Sequence, residues 1–351
     1  MPECGKGEKP VMSAKQKKML KHFLGLLLRY CILAGLCFII IYPLFTKIVV
    51  AFMEKGDLYD SSVVYIPKHF TLSNIRVSAE TIDYGVCLIK TVLMVGGCSA
   101  MQVLSCMLTG YGFARFKIPF GRIIFGFVIL TLIVPIQTVI VPLYFYFTDL
   151  HLIGTAAPLF LLSATTMGIR NGLYIYMFRQ FFRGFPKELE EAGQIDGAGV
   201  FRVFRSIIAP SSVSMTATCF LFAFVWQWTD SYYYSVFIPD SEFLSTQIQG
   251  LATRISSSMV FETGQVDQYY ASIINNVGIL LLIIPLILLY AFTQRFFVES
   301  FERSGILSIQ AIVILIIFIP CLMFRLRRET SKDIMTKSIR SLFMALPYMI
   351  Q

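Results

Sequence analysis

Apolar residues in this chain fall in long, nearly unbroken runs, not in the short alternations of a soluble fold. A helix needs about 20 mostly apolar residues to cross the hydrocarbon core of a bilayer. Six runs meet that length, centred on residues 26–45, 86–108, 123–147, 156–178, 212–228 and 273–291. A seventh candidate covers 306–324. The pattern predicts an all-α polytopic membrane protein with six crossings and a possible additional C-terminal helix. Residues 1–22 read as an N-terminal tail, 23–300 as the transmembrane domain and 301–351 as an extension. Lys15, Lys17, Lys18 and Lys21 precede the first run as in a signal peptide, but the run extends over 23–52 with no obvious small-residue cleavage site. It reads as an uncleaved first crossing.

Composition agrees. Of 351 residues, 56% are hydrophobic and 15% charged, against about 25% charged in soluble domains, and mean hydropathy is +0.70. The net charge of +9 is a topology signal, because Lys and Arg sit between the runs. They fill the N-terminal tail, the second connection (Arg115, Lys117, Arg122) and the fourth (Arg183, Lys187, Arg202, Arg205). The third connection, 149–155, has none, and the fifth, 229–271, has only Arg254. The tail and the even connections are therefore expected in the cytoplasm, in a multi-pass cell-membrane protein with a cytoplasmic N-terminus. The first connection, with Lys47, Lys55, Lys68 and Arg76 spread over a longer segment, is a weak vote. The fifth is long enough to fold over a pore mouth or touch a partner. If 306–324 crosses, Arg325, Arg327, Arg328, Lys332, Lys337 and Arg340 fall outside, against the same rule. A helix lying in the interface, or a hairpin returning through 338–350, are the alternatives. Seven of the eight cysteines lie in or beside apolar runs without paired spacing, and His22, His69 and His151 are scattered at run ends. Neither a disulfide framework nor a metal centre is expected.

The fourth connection, 183–210, predicts two short helices joined by a tight turn. Pro186 suits a first helical position and Glu188 the positive end of the helix dipole. Leu189, Ala192 and Gly193 make a narrow face of small side chains that admits a close neighbour. Asp196-Gly197 breaks the run, Gly197 taking a left-handed conformation and Asp196 capping the second helix. That helix places Val200, Phe201, Phe204, Ile207 and Ile208 on one face and ends at Pro210. Too short to span, the pair either rests on lipid headgroups or docks a cytoplasmic protein.

The residues alone leave both readings open, and a resemblance favours the second. Glu191-Ala192-Gly193, Gly197, Ile207 and Ala209-Pro210 resemble the EAA loop of ABC importer permeases: Glu-Ala-Ala, three residues, Gly, nine residues, Ile, any residue, Leu-Pro. The spacing is intact; Gly193 replaces Ala and Ala209 replaces Leu. The first change loosens the helix by up to about 1 kcal/mol relative to Ala. The segments Tyr111-Gly112-Phe113-Ala114-Arg115-Phe116, Phe178-Arg179-Gln180-Phe181-Phe182, Trp226-Gln227-Trp228 and Gln294-Arg295-Phe296-Phe297-Val298-Glu299, with Pro135 and Pro142, are similar to the carbohydrate-type branch, as in the smaller maltose permease subunit. The resemblance implies a type I permease core with a cytoplasmic coupling helix. It also implies a second permease subunit, a cytoplasmic ATPase dimer holding ATP and Mg²⁺, an extracytoplasmic binding protein, and a sugar or oligosaccharide as solute. Glu190, Glu191, Ala192, Gly193, Asp196, Gly197, Phe201, Phe204 and Pro210 would form the ATPase-docking loop, with Glu191 pairing with an Arg of the ATPase.

Solute contacts are read from polar and aromatic residues within the runs. Arg170 and Asn171 interrupt the fourth run; such residues face a cavity or a partner, or else snorkel to the interface. Trp226, Trp228 and Asp230 form an aromatic stretch at the end of the fifth run, suited to stacking on a sugar but also ordinary for an interfacial belt. Gln137, Asn275 and Asn276 are further candidates. The sequence has no Gly-x4-Gly-Lys-Ser/Thr phosphate loop, no His-Glu-x-x-His and no Gly-x-Ser-x-Gly. A transport subunit without its own ATPase site is expected, not an enzyme. A permease for a non-sugar solute and a non-transporting scaffold are the alternatives.

Overall fold

The computed structural model describes residues 14–304 apart from Ser61, Val64 and Tyr65. The candidate helix at 306–324, the 338–350 limb and most of the N-terminal tail lie outside the described residues. The described residues fold into helices: α1 Ala14–Ala51, α2 Lys55–Tyr59, α3 Ser73–Thr81, α4 Tyr84–Arg115, α5 Gly121–Leu130, α6 Ile136–Asp149, α7 Ala157–Ala164, α8 Asn171–Arg183, α9 Glu188–Ile195, α10 Val200–Val203, a π-helical turn Phe204–Ile208, α11 Ala209–Ser211, α12 Val213–Thr229, α13 Tyr232–Phe237, α14 Leu244–Gln249, α15 Leu251–Thr263 and α16 Gln268–Ser304. Among the described residues the single β feature is an isolated bridge between Met53 and Phe70.

Among the described residues, three stretches are long and apolar enough to cross a membrane in one piece: Gly25–Ala51, Tyr84–Arg115 and Gln268–Thr293. They match the first, second and sixth runs. The third and fourth runs are broken, and the fifth is a single shorter helix. The third divides into α5 and α6 around a turn that ends at Pro135, which lacks the N–H to continue a helix and biases the residue before it toward extended backbone. The fourth divides into α7 and α8, with Thr166 and Arg170 both left-handed at φ 58° and 61° in the gap. A β-branched threonine there is a genuine conformational outlier. The fifth run is α12, which meets the preceding Val200–Ser211 at a 76° bend.

Contacts divide the chain into two compact units. The first comprises residues to Ser105, Leu130–Asn171 and Phe222–Phe292. Its core includes Trp228, fully buried, whose Nε1–H donates to the Leu282 carbonyl at 3.0 Å. Gly278 of α16 lets that helix approach α15 closely, since a Cβ there would sit 2.6 Å from Leu251 Cδ2. The long fifth connection is thus folded as α13–α15, with Leu244, Ile248, Leu251 and Ile255 buried. Its neighbour α2 is tied down by polar contacts: Tyr59 Oη donates to Asp267 at 2.5 Å, and the Asp57 carboxylate accepts the His69 N–H at 2.7 Å. The second unit comprises Cys106–Ile129, Gly172–Leu221 and, of the described residues, 293–304. Here α4 and α8 touch backbone to backbone at Gly110, where a Cβ would lie 2.6 Å from Phe178 Cβ and 3.0 Å from the Arg179 nitrogen. Tyr111 sits edge-on to Phe182, with ring centroids 5.6 Å apart, above buried Phe178.

Candidate functional site

The 183–210 segment forms within the second unit. Helix α9 starts at Glu188, with Lys187 as its N-cap, so Pro186 precedes the first helical position by two residues. Glu188, Glu190 and Glu191 occupy the first turn, where the helix dipole favours negative charge. Gly197 closes the helix at φ 78°, the left-handed conformation its lack of a Cβ permits. Asp196 is the C-terminal cap of α9, and the N-cap of α10 is Gly199; the expected capping of the second helix by Asp196 is not observed.

The segment has an inner and an outer side. Glu190, Gly193, Val203, Phe204 and Ile208 are buried. Glu191, Ala192, Asp196, Gly197, Phe201 and Pro210 are exposed. The expected face of the second helix is therefore corrected: Val200 and Phe201 point outward, and the inner row is Val203, Phe204, Ile207 and Ile208. The π-helical turn at Phe204–Ile208 is one physical reason, because its wider turn rotates the residues after it relative to an α-helix. Gly193 also acquires a role. A Cβ there would sit 3.0 Å from Ile207 Cδ1 and 3.2 Å from Val203 Cγ2, so the glycine admits the second helix. Glu190 turns inward. Its Oε1 accepts Arg115 Nε–H at 2.6 Å and its Oε2 the Tyr111 hydroxyl at 3.2 Å, while Arg115 Nη2 donates to the Phe185 carbonyl at 2.8 Å.

The first unit holds a polar knot at the break between α7 and α8. Gln102, midway along α4, donates from Nε2 to Asn171 Oδ1 and to the Ile169 carbonyl. Its Oε1 accepts from Gln227 Nε2 of α12. All three side chains are buried. Gly168 fits against them, since a Cβ would come within 3.3 Å of Gln102 Nε2. Beside the knot is a small pocket lined by Ser163, Gly168, Gln227, Asp230, Tyr233 and Tyr234, among others, of about 20 Å³, the room of one water. The Arg170 guanidinium lies over the Trp226 ring at 4.7 Å, a cation–π contact. Arg170, Asn171, Trp226 and Asp230 therefore gather at one place.

Trp228 does not join them: it is fully buried with its N–H used, so it is a packing residue and presents no stacking face. Gln137 is exposed on α6. Asn276 accepts from Lys47 Nζ at 2.8 Å, tying α16 to α1, and the Asn275 carbonyl oxygen is buried without a hydrogen-bond partner. Sequence reasoning misses Gln102 as a site residue and marks Gln227 only as a landmark. Both are single amides in apolar runs, the signal that exposed Asn171.

The sequence profile of binding-protein-dependent transport system inner membrane components matches residues 106–303, more than half of the chain. The chain belongs to this family. It is a multi-pass membrane protein, the permease part of an ABC importer. Relatives include the sn-glycerol-3-phosphate transport system permease protein UgpE of Yersinia pestis, 27% identical over 276 residues, covering 76% of this chain and 92% of the relative. The Escherichia coli K12 protein of the same name is 27% identical over 272 residues, with the same coverage. These relatives are permeases, not enzymes. A chain of a bacterial ABC transporter involved in importing the acidic polysaccharide alginate superposes with a TM-score of 0.63 at 16% identity, covering 82% of this chain and all of that one. That likeness is one of fold, and places the architecture with the type I permeases.

Proposed function

We propose that this chain forms, with a second permease subunit, the translocation path of an ATP-driven importer for a sugar, oligosaccharide or similar polyhydroxylated solute delivered by an extracytoplasmic binding protein. The N-terminus is cytoplasmic and the chain crosses six times, the broken pairs α5/α6 and α7/α8 each counting as one crossing. The 183–210 segment is the EAA loop and seats on a separate ATPase dimer that holds ATP and Mg²⁺. The observation that carries this reading is the two-sided coupling segment: Glu191, Ala192, Asp196 and Phe201 are exposed while Gly193 and Phe204 anchor the segment from within. An interfacial helix would bury its apolar row in lipid; this one buries it in protein and leaves Glu191 and Phe201 outward. Phe201 is 72% exposed and Ile195 85%, the aromatic and aliphatic anchors a protein groove takes up.

The solute path passes the knot. Amide, hydroxyl and carboxylate groups gathered around Gln102, Asn171, Gln227 and Asp230 match the donors and acceptors of a polyol, and Trp226 offers an apolar face to a sugar ring. A phosphorylated polyol is a second reading, favoured by the names of the relatives and by the Arg170 cation beside Trp226.

The test is capture from detergent-solubilised membranes with the ATPase and permease encoded beside it. The wild type is expected to co-purify with an ATPase, and Glu191→Ala/Gly197→Pro is expected to lose it. Equal capture by that variant would remove the loop from the docking surface, and no capture by the wild type would overturn the importer reading.

A further inference from the structure

We propose that Glu190 and Arg115 are a positioning pair: a buried strut that fixes the coupling segment to the end of α4 and passes the segment's displacement into that helix, rather than part of the ATPase-docking surface. The proposal rests on the docking role given to 183–210.

Three contacts define the strut. Arg115 closes the last turn of α4, and its Nε–H meets Glu190 Oε1 at 2.6 Å. Its Nη2 reaches the Phe185 carbonyl at 2.8 Å, just ahead of α9. The Tyr111 hydroxyl, one turn back on α4, takes the second carboxylate oxygen. One guanidinium thus grips the coupling segment both before α9 and inside its first turn. The side chains are 8% and 10% exposed, so neither charge offers itself to a partner.

A buried ion pair is a poor choice if adhesion is all that is required, because desolvation cancels most of the attraction and apolar residues hold as well. What it provides is direction: forked, charge-assisted hydrogen bonds tolerate little rotation or sliding. The apolar contacts of Gly193 with Val203 and Ile207 are within the coupling segment itself, and the contact of Phe204 with Tyr111 of α4, ring centroids 5.0 Å apart and tilted, is non-directional and fixes the two elements less sharply than the ion pair. Glu190 and Glu191 are neighbours in sequence, yet one faces inward and the other outward. A helical step of about 100° separates a transmitting residue from a docking residue.

The experiment captures the full chain with its ATPase in nanodiscs and measures amide hydrogen exchange with and without ATP, Mg²⁺ and vanadate. In the wild type, trapping is expected to change exchange in the last turns of α4 by at least about fivefold, the low end of ordinary coupling strengths. Glu190→Gln is expected to retain ATPase capture and the trapping-dependent change within 188–208, while the change in α4 falls below about twofold. The swapped pair Arg115→Glu/Glu190→Arg restores part of the α4 response, which distinguishes a broken strut from a misfolded loop. Loss of ATPase capture by Glu190→Gln, as for Glu191→Ala, would make Glu190 a docking residue and overturn the proposal while leaving the importer reading intact. An undiminished α4 response in Glu190→Gln would overturn it too. If the wild type captures no ATPase, both fall.

Discussion

Replacing Gln102 by leucine tests whether the polar knot holds the broken helix. Leucine is close to glutamine in size, so the change removes hydrogen bonds without opening a cavity. Three are lost: the donations to Asn171 and Ile169 and the acceptance from Gln227. Within membranes a side-chain hydrogen bond is worth about 0.6 kcal/mol on average and at most about 1.7. Three together amount to about 2 kcal/mol, with an upper bound of about 5. The apolar gain from leucine opposes part of this, but the knot's amides and the Ile169 carbonyl keep their need for partners in a water-poor interior. The expected loss is therefore about 2 kcal/mol. Reversible unfolding in mixed micelles, driven by increasing sodium dodecyl sulfate, measures it. A cycle with Gln227→Leu is expected to return a coupling energy of about 0.6–1.7 kcal/mol. If Gln102→Leu loses less than about 0.5 kcal/mol, a surface-substitution effect, the knot does not hold the break at 165–170 and the argument for a built polar site there fails.

Two further outcomes come from the geometry. Gly110→Ala would put a Cβ 2.6 Å from Phe178 Cβ, about 1 Å short of ordinary carbon contact, and overpacking against a rigid neighbour costs about 1–3 kcal/mol. Its melting temperature in detergent is expected to fall, while Gly112→Ala, with nothing within 4 Å, leaves it unchanged or raised. The Asp57 carboxyl is held below its usual range, first by the His69 backbone N–H and against the opposing effect of burial. Its contribution to anchoring α2 is therefore present above about pH 4 and lost as pH falls through the depressed folded value. Protease cleavage in 53–72 is expected to rise on acidification in the wild type. In Asp57→Asn it is expected to be already faster at pH 7 and to depend less on pH, the Asp60–Lys68 pair remaining in the same segment.

Much of this fold was legible because lipid imposes one rule, that a crossing helix be long and apolar. The first, second and sixth runs obey it without interruption. The third and fourth ran together because hydropathy averages over side chains and does not register backbone. Pro135 announces its break in the sequence. Thr166 and Arg170 do not: nothing in their chemistry asks for positive φ, and the break is sustained by Gly168 and by Gln102, remote in sequence and reached only through packing. Arg170 and Asn171 stood out as polar residues in an apolar run, but their partners Trp226 and Gln102 became identifiable only once α4, α8 and α12 were folded together.

The coupling segment shows the same boundary at finer grain. Its pattern marks which residues belong to the loop, yet a motif has no inside and outside. Glu190 and Glu191 carry identical side chains one position apart. What separates them is Arg115, 75 positions upstream; in the second helix, likewise, Phe204 is buried and Phe201 exposed. A pattern read along the chain groups these residues; the packing divides them into an exposed face and a face that meets α4. Substitutions across 188–204 should therefore sort by burial rather than by motif membership. Outward changes are expected to alter ATPase capture. Inward changes are expected to leave capture intact and to alter the response of α4.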